Sequence, residues 1–465
     1  MYQLHQRRFD LSVRLIVVAS LIFLTLAASV SVAGAAPTSA LTKPLAKNII
    51  VMIADGSGYN QNIAADLYQY GEVGLQPWEQ FPFQFAMSTY SSDGWGYDPA
   101  LAWSDFNYVK VRYTDSAAAA TAMACGVKTY DAAIGVDATG KPVENVIEKA
   151  EKQGMSTGVV TSVEFSHATP ASFVAHNVSR NDYPGIAQEM ILQSAADVIM
   201  GAGNPFYDKD GLPVTPGLAS YRYVGGKSTW DALVAGTAGG DADGDGSDDL
   251  WTLIQDRSEF QSLMSGPHPT RVIGVPRVWE TLQQARSGDA FAAPYAIPFI
   301  QSVPTLAEMT NAALNVLDDD PDGFFLMVEG GAVDWAAHSN QSGRTIEERI
   351  EFNHAIEAVL NWVKMNSNWG ETLLVITGDH ETGYLLGPGS NPTWEPLANN
   401  GAGIQPGMAW FSPNHTNSLI PLWAKGDAGR FLKGYADQMD PVRGSYLDNT
   451  ELAQVLFRAL QPVKP

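Results

Sequence analysis

Five short stretches of the chain are mostly apolar, and each stops at a polar residue or a glycine. They cover residues 48–53, 157–161, 197–200, 324–328 and 373–376. Runs of this kind suit strands of a parallel sheet covered on both faces, where neither set of side chains meets water. Between the runs the apolar spacing changes to every third or fourth position. Residues 345–364 place Phe352, Ile356, Val359 and Val363 on one stripe, and residues 306–317 form a second segment with Thr305 placed to cap it. This alternation predicts an α/β fold with a doubly wound, mostly parallel central sheet and helices on both faces. One catalytic domain over residues 42–465 is expected, with an irregular insertion at about 203–303.

The residues that follow the strands carry the chemistry. Asp55 follows the first run, Glu329 the fourth, and Asp379 and His380 the fifth. In an open parallel sheet the ligand crevice lies beyond this edge, so groups distant in sequence can converge there. One carboxylate in that position is ordinary turn chemistry; four polar ligands are harder to assign to turns. Asp334 and His338 stand at i and i+4, which puts them on one helix face as either a metal pair or a surface ion pair. His415 lies in a loop. Together Asp55, Glu329, Asp334, His338, Asp379, His380 and His415 suit two zinc ions with mixed nitrogen and oxygen ligands and one harder, oxygen-bound ion.

Ser116 opens a segment of strong helix formers, Ala117 to Ala120, that Gly126 should end. Thr114, Asp115 or Ser116 can cap that helix, and Ser116 is otherwise placed to act as a nucleophile among free N–H groups that favour an anion.

Composition narrows the choice of partner and compartment. The 465 residues carry a formal charge of −22 with no basic patch, which argues against nucleic acid. Arg7, Arg8 and Arg14 accompany an apolar stretch that ends near Ala33-Gly34-Ala35, so residues 1–36 read as a cleavable export signal in preference to a membrane anchor. No later run is long enough to span a bilayer. The mature protein is therefore expected to be periplasmic or secreted and free of the membrane. Cys125 is the sole cysteine, so no intrachain disulfide can form and any zinc must use histidines and carboxylates.

Residues Ile53-Ala54-Asp55-Gly56, Thr114-Asp115-Ser116-Ala117-Ala118, Met327-Val328-Glu329-Gly330, Asp334 with His338, Gly378-Asp379-His380 and His415-Thr416 resemble the alkaline phosphatase signatures, in the family's order. The resemblance covers roughly residues 47–426 and thins between 203 and 303. It implies one zinc held by Asp334, His338 and His415. A second would be held by Asp55, Asp379 and His380, with Ser116 as its fourth ligand when deprotonated. It further implies a magnesium held by Asp55, Glu329 and Thr169, and a phosphoryl group gripped by Arg180. The implied reaction is hydrolysis of phosphate monoesters through a phosphoserine at Ser116, and a homodimer is compatible with it. A phosphodiesterase or another transferase or hydrolase on the same metal scaffold is the alternative. A calcium-dependent binding protein is a third reading.

Two positions depart from the best-known enterobacterial pattern. His167 stands where that subgroup has an aspartate near the magnesium, and Trp335 where it has a lysine near the phosphate. His167 either ligates a metal directly or hydrogen-bonds to a ligand. In the 203–303 segment, Asp241, Asp243, Asp245 and Asp249 resemble a calcium loop with glycine sixth. Thr252 occupies the twelfth place instead of glutamate, so an acidic turn fits equally well. His176, His268 and His354 read as structural.

Overall fold

The five apolar stretches lie side by side. The computed structural model describes residues 44–241 and 246–462, and residues 44–461 form one unit. Its central sheet has eleven strands. In chain order they are β1 (Asn48–Ala54), β2 (Phe83–Ser88), β3 (Ser156–Glu164), β4 (Val198–Ala202), β5 (Thr252–Ile254) and β6 (Val272–Gly274). They continue with β7 (Phe324–Gly330), β8 (Thr372–Gly378), β9 (Ile420–Lys425), β10 (Gln438–Asp440) and β11 (Gly444–Asp448). The spatial order is β10-β11-β2-β9-β8-β1-β7-β3-β4-β6-β5. The expected strands are β8, β1, β7, β3 and β4, five neighbours joined by parallel pairing.

Antiparallel pairing enters where β9 joins β8 and β2. The 203–303 segment is less irregular than its composition suggests, because β5 and β6 extend the sheet in parallel beyond β4. The rest of the described segment holds short helices, turns and a two-stranded pairing of Gly239–Gly240 with Asp249–Leu250.

Both faces of the sheet are buried. Along β1, Ile49, Val51 and Ile53 enter one core, while Ile50 and Met52 enter the other. This alternation explains why the strand has no polar face. Helix α1 (Ser116–Cys125) covers the first face. Helices α2 (Ala168–Ser172), α3 (Leu306–Leu317), α4 (Ala332–His338) and α5 (Ser342–Asn366) follow in the chain, and α3 and α5 cover the second face. The α5 stripe expected from Phe352, Ile356, Val359 and Val363 is buried there. Thr305 caps α3, accepting from the Glu308 N–H at 3.1 Å, while Glu308 accepts from the Thr305 N–H at 2.9 Å.

Strand register sets the site. Ala54, the last residue of β1, pairs with Gly378 on one side and Gly330 on the other. Asp55, Glu329 and Asp379 therefore reach the same edge. The chain turns sharply there at Gly56, whose φ is +71° and whose Cβ, were there one, would lie 2.7 Å from the Asp334 Cα. Only glycine serves at that point.

Candidate active site

Asp115, and not Ser116, caps helix α1. Its Oδ1 accepts from the Ala118 N–H at 2.9 Å, and the helix ends at Gly126 in the left-handed conformation as expected. The serine hydroxyl is thus released from the role that its position first suggests. Ser116 is buried, and its Oγ lies 3.2 Å from His380 Nε2. That nitrogen is also 3.4 Å from Asp55 Oδ1 and 3.3 Å from Asp379 Oδ2. Asp379 is aimed by its other oxygen, which accepts from the N–H groups of Gly56 at 3.0 Å and His380 at 2.9 Å.

A second group lies beside the first. His338 Nδ1 donates to the Pro413 carbonyl at 2.6 Å, and His415 Nδ1 donates to the Thr114 carbonyl at 2.8 Å. These bonds fix both tautomers, because a carbonyl accepts only from a protonated nitrogen. Each Nε2 then carries a bare lone pair, and the two face one another at 2.9 Å. Asp334 closes the group, 3.4 Å from His338 Nε2 and 3.5 Å from His415 Nε2. The His380 and His415 rings stack at 3.6 Å between centroids, so the two groups share a wall.

A third group combines Asp55, His167 and Glu329, with donor atoms within 4.8 Å of one another. Thr169 is fully buried on α2, and Thr161 donates its hydroxyl to Glu329 Oε2.

The donor set fits metal ions. Asp55, Glu329, Asp334 and Asp379 are all buried. Burial, reinforced by the charges of neighbouring carboxylates, holds Asp55 well above the carboxylate range, Asp379 at about 7 and Glu329 at about 8. For Asp334, burial acts upward, but contact with His415 and the other surrounding imidazoles outweighs it and holds its pKa down. His380 is depressed well below its ordinary value by burial and by the charge of His415. Both Asp55 oxygens, Asp379 Oδ2 and Glu329 Oε1 are buried without a hydrogen-bond donor. Crowded carboxylates and facing lone pairs are costly alone and are the environment a divalent cation relieves.

Arg180 stands opposite. Its NH1 donates to Asp115 Oδ2 at 2.9 Å, and its NH2 lies 3.1 Å from His167 Nε2. Burial alone would lower the guanidinium pKa, but Asp115 more than offsets that, so the group stays charged at alkaline pH. Trp335 is edge-on to His167 at 5.8 Å between centroids. Ser116, Arg180, His167, Trp335, His338 and His415 all line one open cleft of about 500 Å³.

The structure thus brings together every residue expected in the two nitrogen-rich groups, and places Arg180 beside them. Sequence reasoning missed Thr161 and Thr382, whose hydroxyls donate to Glu329 and Asp334, and the pairing of Asp115 with Arg180. No periodicity marks such residues, because their partners are supplied by distant parts of the chain.

Residues expected to be structural lie elsewhere. His176 is 3.3 Å from Glu189, His268 is 3.4 Å from Asp319 and His354 is 3.3 Å from Glu351. Cys125 is buried, and burial raises its thiol pKa away from reactivity. Of the acidic loop, Asp243 and Asp245 fall outside the described residues. Asp241 accepts from the Gly246 N–H at 3.0 Å, and Asp249 lies in a two-residue strand. The export signal expected at residues 1–36 also falls outside the described residues. Among the described residues no helix is long and apolar enough to cross a membrane.

Comparison with known proteins agrees with the geometry. The family model described as alkaline phosphatase matches residues 46–405. Alkaline phosphatase 3 of Bacillus subtilis is 30% identical over 89% of this chain and 89% of its own length. The alkaline phosphatase of Escherichia coli is 29% identical over 87% of this chain and 86% of its own. The alkaline phosphatase of the Antarctic bacterium TAB5 aligns with a TM-score of 0.62 at 26% identity, covering 90% of this chain and 99% of that one. A TAB5 variant described with magnesium bound in its M3 site aligns with a TM-score of 0.60 at 25% identity, over 91% of this chain and 100% of that one. The chain belongs to the alkaline phosphatase family and is a phosphatase.

Proposed function

We propose that the protein is an exported phosphomonoesterase that works at alkaline pH through a phosphoserine at Ser116. The observation that carries this reading is the position of the Ser116 hydroxyl. It lies 3.2 Å from His380 Nε2, at the edge of a group whose Asp55 and Asp379 oxygens lack donors. Asp55, Asp379 and His380 would hold one zinc, and Asp334, His338 and His415 the other. Asp55, Glu329 and Thr169 would hold a magnesium. Bound there, the ions would lower the pKa of the serine hydroxyl and neutralise charge on the entering and leaving oxygens.

The chain's own residues do the rest. Arg180 presents two N–H edges to the phosphoryl oxygens, and its planar fork suits a dianion. Asp115 fixes that fork from behind. Ser116 Oγ attacks phosphorus in line, forming the Oγ–P bond as the bond to the alcohol oxygen breaks. The alcohol leaves with a proton from solvent. Water then attacks the phosphoserine, the Oγ–P bond breaks, the hydroxyl is restored and phosphate departs.

His167 is proposed as a nitrogen ligand of the third group. Its Nε2 is engaged by Arg180, while its Nδ1 is buried without a partner and the ring lies beside Asp55 and Glu329. Burial and the Arg180 charge depress its pKa to about 3, so it stays neutral and able to ligate.

A phosphodiesterase on the same scaffold is the competing reading. Arg180 and the third group favour the monoester, because both address a dianion. The deciding experiment measures hydrolysis of a phosphate monoester and a diester at alkaline pH. It is repeated after chelation and after zinc and magnesium are restored. Monoester turnover that is lost and regained with metal is expected. Equal turnover of both esters, or indifference to metal, overturns the proposal.

A further inference from the structure

The mouth of the cleft differs chemically from its floor. Tyr113 leans on His415 with 5.8 Å between ring centroids, Trp335 stands against His167, and both aromatic side chains line the cleft. Asp131 lines the same cleft. Its N–H donates to Asp93 Oδ2 at 3.1 Å, and its Oδ1 accepts from the Asp115 N–H at 3.4 Å. The Asp131 carboxylate is thereby anchored in the cleft lining, with the Asp93 carboxylate bound to its backbone. Among the described residues Arg180 is the only lysine or arginine that lines the cleft, and Asp115 already pairs with it. Arg112, next to Tyr113, is turned away onto the exposed Trp95 ring at 4.5 Å.

This arrangement bears on the alcohol half of the substrate. Tyr113 adjoins the His415 ring, so it stands beside the substrate's alcohol when the leaving oxygen faces the group formed by Asp334, His338 and His415. Tyr113 and Asp131 line the same cleft as that group, within the space open to the substituent on that oxygen. An aromatic face and a carboxylate both attract an ammonium group, and the pair offers no counter-charge to a second phosphate or carboxylate. Resting on the phosphomonoesterase reading, we infer that the cleft selects phosphomonoesters of amino alcohols over esters whose alcohol carries a second anion. Tyr113 and Asp131 are the discriminating residues.

The test compares kcat/KM for phosphocholine, glycerol phosphate and a sugar bisphosphate at low ionic strength. It uses the zinc- and magnesium-loaded full protein, Asp131→Asn and Tyr113→Leu. Each variant should lower the ratio of phosphocholine to glycerol phosphate by about fivefold, the scale of one exposed cation–π or ion-pair contact. Asp131→Asn should also raise the ratio of bisphosphate to glycerol phosphate. A merely structural role, such as support of Asp115, would lower all three substrates together and leave the ratios fixed. Fixed ratios with turnover of glycerol phosphate overturn this inference alone. Absence of turnover on all three esters by the unaltered enzyme overturns the phosphomonoesterase reading and this inference with it.

Discussion

Thr382 Oγ1 donates a 2.5 Å hydrogen bond to Asp334 Oδ1, and the same oxygen is 3.3 Å from His380 Nδ1. One hydroxyl therefore touches a residue from each of the two proposed zinc groups. Its strand is anchored by Glu381, which accepts from Thr416 at 2.6 Å and from Gln61 at 2.9 Å. Outer partners of this kind aim a ligand and set its basicity. Thr382→Val keeps the shape and removes the donor. Zinc affinity, measured by chelator competition, should fall by about 10–100-fold, and Thr382→Ser should recover most of it. An unchanged affinity in the valine variant would show that Asp334 is aimed by other contacts.

Ser116→Ala removes the proposed nucleophile and leaves the carboxylates and imidazoles in place. Turnover should fall by several orders of magnitude while bound zinc stays near that of the unaltered enzyme. Acid quench of the unaltered enzyme with labelled phosphate should leave label on Ser116, and peptide mapping reads its position. Label on another residue, or full turnover in the variant, would end the phosphoserine mechanism.

The sheet was legible because its central strands are buried on both faces, so hydrophobicity alone outlines β8, β1, β7, β3 and β4. The strands toward the two ends of the sheet were not. In β2, Phe83, Gln84 and Phe85 are all part-exposed or exposed, and β5 and β10 have three residues each, too short for a periodic signal. The site was legible where a proposed ligand follows a strand, as at Asp55 and Asp379. Thr382 and Thr161 were silent because their partners are 48 and 168 residues away in sequence. The role of Ser116 was also hidden locally, since only the structure assigns the helix cap to Asp115.

His167 sets the character of the third group. Replacing an imidazole beside Asp55 and Glu329 with a carboxylate makes the site harder and more oxygen-rich, which favours magnesium over zinc. His167→Asp should raise the stimulation of activity by added magnesium and the magnesium content per chain, read by metal analysis. Identical metal content and magnesium response would place His167 outside the metal's reach.

Trp335 occupies the cleft beside the proposed phosphoryl site without contributing charge. Trp335→Lys adds a cation to a space where Arg180 is already engaged by Asp115. Inorganic phosphate should then inhibit about tenfold more tightly, on the order of one charge-assisted contact. A phosphate inhibition constant that does not move would mean the lysine ammonium points out of the cleft.

Glu348 offers a pH test remote from the proposed catalytic groups. It is buried on α5, and burial, followed by the charges of Glu351 and Glu347, pushes its pKa up to about 8. Arg286 and Arg344 oppose that shift only in part, and Glu348 Oε1 has no donor. The folded state thus binds this proton more tightly than the unfolded chain, where a glutamate titrates at about 4.3. Its stabilising contribution is complete below that unfolded value and is lost as pH rises toward 8. An alkaline working range therefore places an ionised, poorly paired carboxylate in the core. Glu348→Gln keeps the volume and removes the titration. It should stabilise the protein by about 1–3 kcal/mol near pH 9, with the gain shrinking toward zero near pH 5. Denaturant midpoints of both proteins at the two pH values measure this, and a difference that does not change with pH would mean Glu348 is already ionised and satisfied in the folded state.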